Sequence, residues 1–506
     1  MGNFSKTICL RPLGDSLAAC GDKSAELGYK ITENNSVVSG VYCFWNFENG
    51  EFWLDNDQYG MYPIFYAIWK GALILTNDIL AAIRKGVPAE LDHDALATFL
   101  RLGFHVGYDT PYRFIKRLPP SARLMWKDGD FTITGMEPSS SPPYIGSLDN
   151  AIDDYIALFS QSMRRILKQT PEFQLPLSGG RDSRHILLES IHLGCPPKKA
   201  LTAQFLPPRS ENDTEVASNL LVDTGIEHEI VKPYTDIFRA GRRHDRATQY
   251  MTAEHVWSLA LGDALKATRL PVLDGLAGDT LSAGLNQTLE SQALFMKGNQ
   301  STCAEYTIDR WQRKGGLSET ALAALIGKAD FGKFSKDKAI KRVSMEIERH
   351  KCAHNPLQRF NFFNRTKNGP AMFSLGILSE SAVYFPYLDY ELFRFLDSLP
   401  ADMVADHRFH SLTIRKAYPK HSEVDYAAKQ HQKNSSIIGS ISYFSRLIAK
   451  QLRGDSAIRF NKTRLTIMSF GAILRRAAPL NTWWSPRTFQ FLLNLHDATT
   501  TTRKQR

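Results

Sequence analysis

Apolar and polar positions follow two different rhythms along this chain. From residue 1 to about 135 the apolar residues come in short aromatic or β-branched runs, "GVYCFWNF", "GEFWLDND", "YPIFYAIW" and "GALILTND", split by Gly, Asn and Asp. That pattern predicts strands. "LDHDALATFLRLGF" breaks it with Leu91, Leu96, Phe99 and Leu100 at helical spacing. "RLPPSARLMWKDGDFTITG" reads as a turn and a hairpin with Asp128-Gly129 at its tip. "MEPSSSPPYIGS", Met136 to Ser147, is rich in Pro and Ser and nearly chargeless, the composition of a linker.

Beyond it the period changes. "LDNAIDDYIALFSQSMRRILKQ" carries Ile152, Ile156, Phe159 and Met163 on one helical face. "FQLPL" is a short strand, "SRHILLESIHLG" a helix ended by Gly194, "KALTAQF" a strand, "DTEVASNLLVDTG" a helix closed by Gly225, and "EHEIVK" a strand. Alternation at this spacing predicts a doubly wound parallel α/β sheet. From about residue 300 the pattern is mainly helical, which adds helices to that domain. The predicted division is a β-rich domain at 1–135, a linker at 136–148, an α/β domain at 149–445 and a basic, helical or partly disordered tail at 446–506.

Composition changes this picture in three places. The chain has 506 residues, 43% hydrophobic and 23% charged, enough for two or three packed domains. No run of about 18 uncharged apolar residues occurs, so no transmembrane helix is expected. The start, "MGNFSKTICLRPLGD", lacks an apolar signal-peptide core. None of the six cysteines forms a CxxC pair, which argues against a disulfide framework or a structural zinc and for a reducing cytoplasm. The net charge is +10, and from Lys450 onward eleven Lys/Arg face only Asp455 and Asp497, so about nine of the ten excess charges lie in this tail. It reads as a solvated basic end, or as a surface for an acidic partner, a phosphate ligand or an anionic membrane; Trp483 and Trp484 beside Arg487 keep the second reading open. No specific nucleic acid is expected.

The chemistry concentrates in "QLPLSGGRDSRHILLES", Gln174 to Ser190. Glycines after a strand let backbone N–H groups converge on an anion, and the following helix start adds unpaired donors. Ser178 and Ser183 can donate hydroxyls. Asp182 beside bound phosphate is repulsive unless a cation lies between them, which points to Mg²⁺. The loop is not a Walker A, for it has no Gly-Lys-Ser/Thr.

"SGGRDS" resembles the pyrophosphate loop of the ATP pyrophosphatases, which cleave ATP to AMP and pyrophosphate. Three further stretches resemble the asparagine synthetase family within that group. "DNDQYGMYPIFY" is similar to a D-x-x-G-x-x-P-L-Y-Y segment of its glutaminase domain, with Asp57, Gly60 and Pro63 in register. "LDGLAGDTLSAG" resembles its G-x-G-x-D-E-x-x-G-G loop, with Asp279 at the acidic position, Thr280 where Glu is usual and Leu276 where Glu is common. "YFPYLDYELFRFLDSLP" resembles its R-x-P-F-L-D segment; Pro386, Leu388 and Asp389 match, the family's Glu is Ala382 here, and Glu380 is near but out of register. The resemblance covers most of residues 35 to 440.

It implies an N-terminal β-rich amidotransferase-like domain of the N-terminal-nucleophile type and a C-terminal synthetase domain. It implies that Ser178, Gly179, Gly180, Asp182 and Ser183, with Gly275 and Gly278, hold ATP, and that Asp182 and Asp279 hold Mg²⁺. A catalytic lysine follows in the family; "KQHQKNSSIIG" offers Lys429 and Lys433, and Lys433 fits the spacing better. Lys433 and Glu380 are thus the catalytic candidates. Glutamine-using members begin Met-Cys, whereas this chain begins Met1-Gly2-Asn3, and a start at Cys20 would delete the first strand. The resemblance then narrows to members without the cysteine, similar to β-lactam synthetases and lasso-peptide cyclases. The expected activity is AMP-forming carbon–nitrogen ligation: a small-molecule or peptide carboxylate is adenylated, and an amine or ammonia displaces AMP. An ammonia-dependent asparagine synthetase and a catalytically degenerate nucleotide-binding or regulatory protein are the alternatives. A homodimer is also admitted.

Overall fold

Short apolar runs build the N-terminal region as two antiparallel sheets, face to face; buried and exposed residues nearly alternate in Ser24–Glu33, whereas Ala72–Thr76 is buried throughout. One has the strand order Ser16–Gly21, Thr7–Leu13, Ala72–Thr76, Phe65–Trp69, Lys116–Arg117; the other is the meander Ser24–Glu33, Ser36–Glu48, Glu51–Asn56. Ile8, Leu10, Leu73 and Leu75 from the first pack on Cys43 and Trp45 from the second. The first strand is therefore interior to its sheet and not an appendage. Strands Arg123–Lys127 and Asp130–Thr134 pair as the expected hairpin, whose tip lies outside the described residues. This computed structural model describes residues 5–14, 16–127, 130–205, 209–284, 287–421, 423–431, 437–453, 458, 460–475 and 485–504.

The region after residue 147 contains a five-stranded parallel sheet. Its order is Glu227–Val231, Lys199–Ala203, Gln174–Pro176, Val272–Leu273, Val383–Tyr384. The first three strands in sequence run outward from Gln174–Pro176 in one direction and the last two in the other. The sheet thus switches direction between Gln174–Pro176 and Val272–Leu273, where such sheets leave a crevice at their carboxyl ends. The helix Leu148–Gln169 forms over its whole predicted span, capped by the Ser147 hydroxyl accepting the Asn150 N–H at 3.1 Å. It buries Ile152, Tyr155, Phe159, Met163 and Ile166 against Leu175, Leu177 and Ile186. The remainder is mostly helical.

Residues 136–147 adopt neither helix nor strand, yet they are docked. The Ser141 N–H donates to Asp397 Oδ2 at 3.0 Å, the Tyr144 N–H to the Ser398 carbonyl at 2.8 Å, and Glu137 pairs with Arg349 at 2.5 Å. The tail also departs from a solvated end. Helix Pro486–Lys504 buries Phe489, Phe491, Leu492 and Leu495 in the largest apolar cluster, where Phe491 stacks on Phe99 at 4.1 Å. Its Arg487 is buried against Asp245, an acidic partner inside the same chain. Phe and Leu at helical spacing outweighed the basic composition. Trp483 and Trp484 lie outside the described residues. No described helix is long and apolar enough to cross a membrane.

Candidate functional site

Two loops meet at the switch point. The first, Ser178 to Arg181, leaves strand Gln174–Pro176 and enters helix Asp182–His192 with Asp182 as the first helical residue. The second, Asp274 to Gly278, leaves strand Val272–Leu273 and enters the short helix Gly278–Leu281. The Asp279 N–H donates to Asp182 Oδ2 at 2.9 Å and ties the loops together. The glycines make this approach sterically allowed: a Cβ on Gly275 would sit 2.8 Å from Asp182 Cβ, and one on Gly278 2.6 Å from Asp182 Cγ. Between them Ala277 takes a left-handed φ of 75°, a strained value for a residue with a side chain.

The first loop is held by side-chain oxygens. Ser183 Oγ accepts the Ser178 N–H at 3.0 Å and lies 3.2 Å from Ser178 Oγ. Ser178 Oγ accepts the Gly180 N–H at 3.2 Å. Asp213 Oδ1 accepts the Gly179 N–H at 2.7 Å, so this donor already faces an anion from the protein itself. Arg181 turns aside: its Nε donates to Ser411 Oγ at 2.7 Å, and its guanidinium sits 4.1 Å from the centre of the Tyr426 ring, whose environment it shares with Arg184 at 4.2 Å.

Burial first, and the Asp279 carboxylate second, push Asp182 well above the ordinary carboxylate value; the Asp279 N–H and Arg181 oppose the shift. His410 Nδ1 lies 3.5 Å from Asp182 Oδ1, but burial holds His410 far below the ordinary imidazole value, so it is neutral there and no counter-ion. Among the described residues no group of three His, Cys, Asp or Glu could hold a metal. Two adjoining carboxylates short of positive charge nevertheless suit Mg²⁺, which takes one or two carboxylates and completes its shell with water and substrate phosphate. Asp182 and Asp279 would be those ligands. Bound there, the cation would neutralise phosphate charge.

A cavity of about 280 Å³ opens beside the two loops. Ser178, Asp182, Ser183, Gly275 and Asp279 line it on one side, and Ala203, Phe205, Trp257 and Leu261 give it an apolar wall. The structure thus brings together Ser178, Asp182, Ser183, Gly275 and Asp279. Gly179 and Gly180 stand in the same loop, and Gly278 contacts Asp182.

Glu380 does not join them. It is exposed in the turn before strand Val383–Tyr384, at the amino end of a parallel strand, whereas the site gathers at carboxyl ends. The residue from that segment that does arrive is Tyr387, whose hydroxyl donates to the Asp182 carbonyl at 3.2 Å. Lys433 lies outside the described residues. The segment before it does reach the loop: the Ala427 N–H donates to the Gly179 carbonyl at 2.9 Å, and the backbone of Lys429 stands opposite that of Glu211 where strand Lys429–His431 pairs with Arg209–Glu211.

Sequence reasoning missed Asp213, Asp274, His410 and Arg365. Asp274 directly follows a parallel strand and lines the cavity, so the rule that picked out Ser178 would have found it; Asp213, at a helix start well beyond strand Lys199–Ala203, also lines the cavity but carries no such strand-end signal. His410, beside Asp182, and Arg365, which lines the cavity, come from distant helical segments and left no local signal.

In the first half, Asp57 is structural. It is fully buried and accepts backbone N–H groups from Tyr59, Met61, Tyr42 and Tyr62 at 2.9 to 3.3 Å. Cys43 is buried in the same region, and burial raises its thiol well above the ordinary value, which makes it a poor nucleophile. Cys20 is exposed but lies within strand Ser16–Gly21, opposite Cys9.

No curated protein matches the chain. The family model of the glutamine amidotransferase domain matches residues 25–136. A domain of that kind in this place is consistent with the N-terminal half of asparagine synthetase-like proteins, and the chain carries it ahead of a parallel α/β sheet.

Proposed function

We propose that the protein is an ATP-dependent amide-bond-forming ligase of the asparagine synthetase type. The observation that carries this reading is the junction of the two loops, where Asp279 reaches Asp182 beside the Ser178–Ser183 turn at the sheet's switch point. ATP, as substrate, would lie with its pyrophosphate against Ser178 and Ser183 and its base against the apolar wall. A substrate carboxylate attacks the α-phosphorus, giving an acyl-adenylate and pyrophosphate. An amine or ammonia then attacks the acyl carbon and AMP leaves. Lys433 would be the fixed cation that stabilises the developing charge.

The amidotransferase-like domain would not supply that ammonia by a thiol of its described residues. An N-terminal nucleophile needs a free α-amine beside its thiol. Cys20 has instead the interior strand Thr7–Leu13 ahead of it, and Cys43 is buried and protonated.

Pyrophosphate release with a panel of carboxylates tests the reading. Release should require a carboxylate and fall sharply in Asp182→Ala and Lys433→Ala; equal release in all three proteins would sink the mechanism. Leu276 favours a second reading. It stands buried in the cavity wall where the resembled loop commonly has Glu, which suits a nucleotide-binding protein without turnover. Tight Mg-ATP binding by calorimetry, with no pyrophosphate from any carboxylate, would select it.

A further inference from the structure

Helix Lys462–Leu474 has two apolar faces, and among the described residues only one is covered. Leu465, Ser469 and Ala472 turn inward and are buried. Ile467, Phe470 and Leu474 follow one another at i, i+3 and i+7 on the opposite face and are 56%, 56% and 82% exposed. The helix is held by the rest of the fold. Its cap residue Asn461 donates its N–H to the Leu325 carbonyl at 2.8 Å, Phe460 bridges Ile326, and the helix packs along Ile437–Arg453. The open face is therefore presented on a formed scaffold.

Charge decides what covers it. From Asn461 to Arg475 no acidic residue occurs, and Lys462, Arg464 and Arg475 are all exposed. At 100° per residue, Arg464 and Arg475 fall on the flank of the apolar triplet. A second copy that met this patch with the same patch, in the isologous contact of the commonest dimers, would bring two wholly basic surfaces together. Nucleic acid would satisfy the arginines but leave Ile467, Phe470 and Leu474 in water. An anionic lipid surface satisfies both: apolar side chains enter the headgroup boundary and arginines stay at phosphate level.

We propose that helix Lys462–Leu474 docks the protein on anionic membranes, with Ile467, Phe470 and Leu474 as the inserted residues and Arg464 and Arg475 as the electrostatic contacts. This inference stands apart from the ligase reading and would hold if that reading failed. It puts the α/β domain at a membrane surface, without any spanning segment.

Co-sedimentation of the full chain with vesicles tests it, using an equal mixture of phosphatidylcholine and phosphatidylglycerol against pure phosphatidylcholine. The expected result is sedimentation with the mixed vesicles only, weakened by salt and weakened about tenfold or more in Phe470→Glu. Arg464→Glu should weaken it further toward the pure phosphatidylcholine level. Both positions are exposed, and unchanged thermal melts of the variants would show that folding is intact. Failure of the folded wild type to sediment with mixed vesicles overturns the proposal, and so does equal sedimentation of Phe470→Glu. A concentration-dependent dimer that Phe470→Glu abolishes, with no vesicle binding, would give the face to a second copy and overturn it as well.

Discussion

Asp57 and Asp182 are both short-motif aspartates in buried surroundings, one in the β-rich N-terminal region and one in the α/β region, and their environments are opposite. Asp57 receives four backbone N–H groups and no second carboxylate touches it. Burial still lifts it somewhat above its ordinary value, but the four donors pull against that. Asp182 receives one backbone N–H, from a residue that carries its own carboxylate. A carboxylate saturated by its own chain fixes that chain. One left undersaturated beside another is suited to a charge that arrives from outside. The same residue type thus separates a structural motif from a chemical one by counting donors.

Substitution can break this contrast. Asp57→Ala would strand four buried donors and should destabilise by about 3–5 kcal/mol, read as a lower urea midpoint. A shift under about 1 kcal/mol would mean that the loop holds itself. Asp182→Asn should do the reverse, lowering pyrophosphate-forming turnover by about 10²–10³-fold while stability stays within about 1 kcal/mol, because a repulsion is removed with the charge. If its urea midpoint fell as far as that of Asp57→Ala, the distinction would collapse.

His105 sharpens the comparison from the neutral side. It is fully buried in the first half, and burial lowers it to about 4. The unfolded chain takes up a proton near pH 6.5 that the folded chain refuses until about pH 4. Stability from this group is therefore complete above pH 6.5 and is lost as pH falls through that window, by about 3 kcal/mol in all. His105→Phe should flatten that part of the profile in pH-dependent urea unfolding, and an unchanged profile would contradict it. The smallest effect belongs to Ala277. Glycine relieves its left-handed φ, and Ala277→Gly should stabilise by about 1 kcal/mol in the same assay.

What the sequence disclosed follows from the range of the interaction that carries each feature. The helix Leu148–Gln169 was legible to the residue because its periodicity and Ser147 cap are local. The meeting of Asp182 and Asp279 was legible because each follows an apolar strand and a glycine turn. Glu380 was misplaced because nearness in sequence to a matched proline does not say which end of a strand a residue occupies. Asp213 on Gly179 escaped notice because its role exists only across two strand–helix units. The buried face of Pro486–Lys504 was masked by a charge count that weighs Arg487 as surface, although it meets Asp245 indoors.

The largest apolar cluster joins Cys9, Phe65 and Phe99 to Phe489, Phe491 and Leu495. Its consequence concerns the order of synthesis. At roughly 5–20 residues per second, a chain of this length takes roughly 25–100 s to emerge, and its first strands wait most of that time for the helix that completes their core. The amidotransferase-like domain would thus be made with Phe99 uncovered, and this part of its core would close only once helix Pro486–Lys504 is in place.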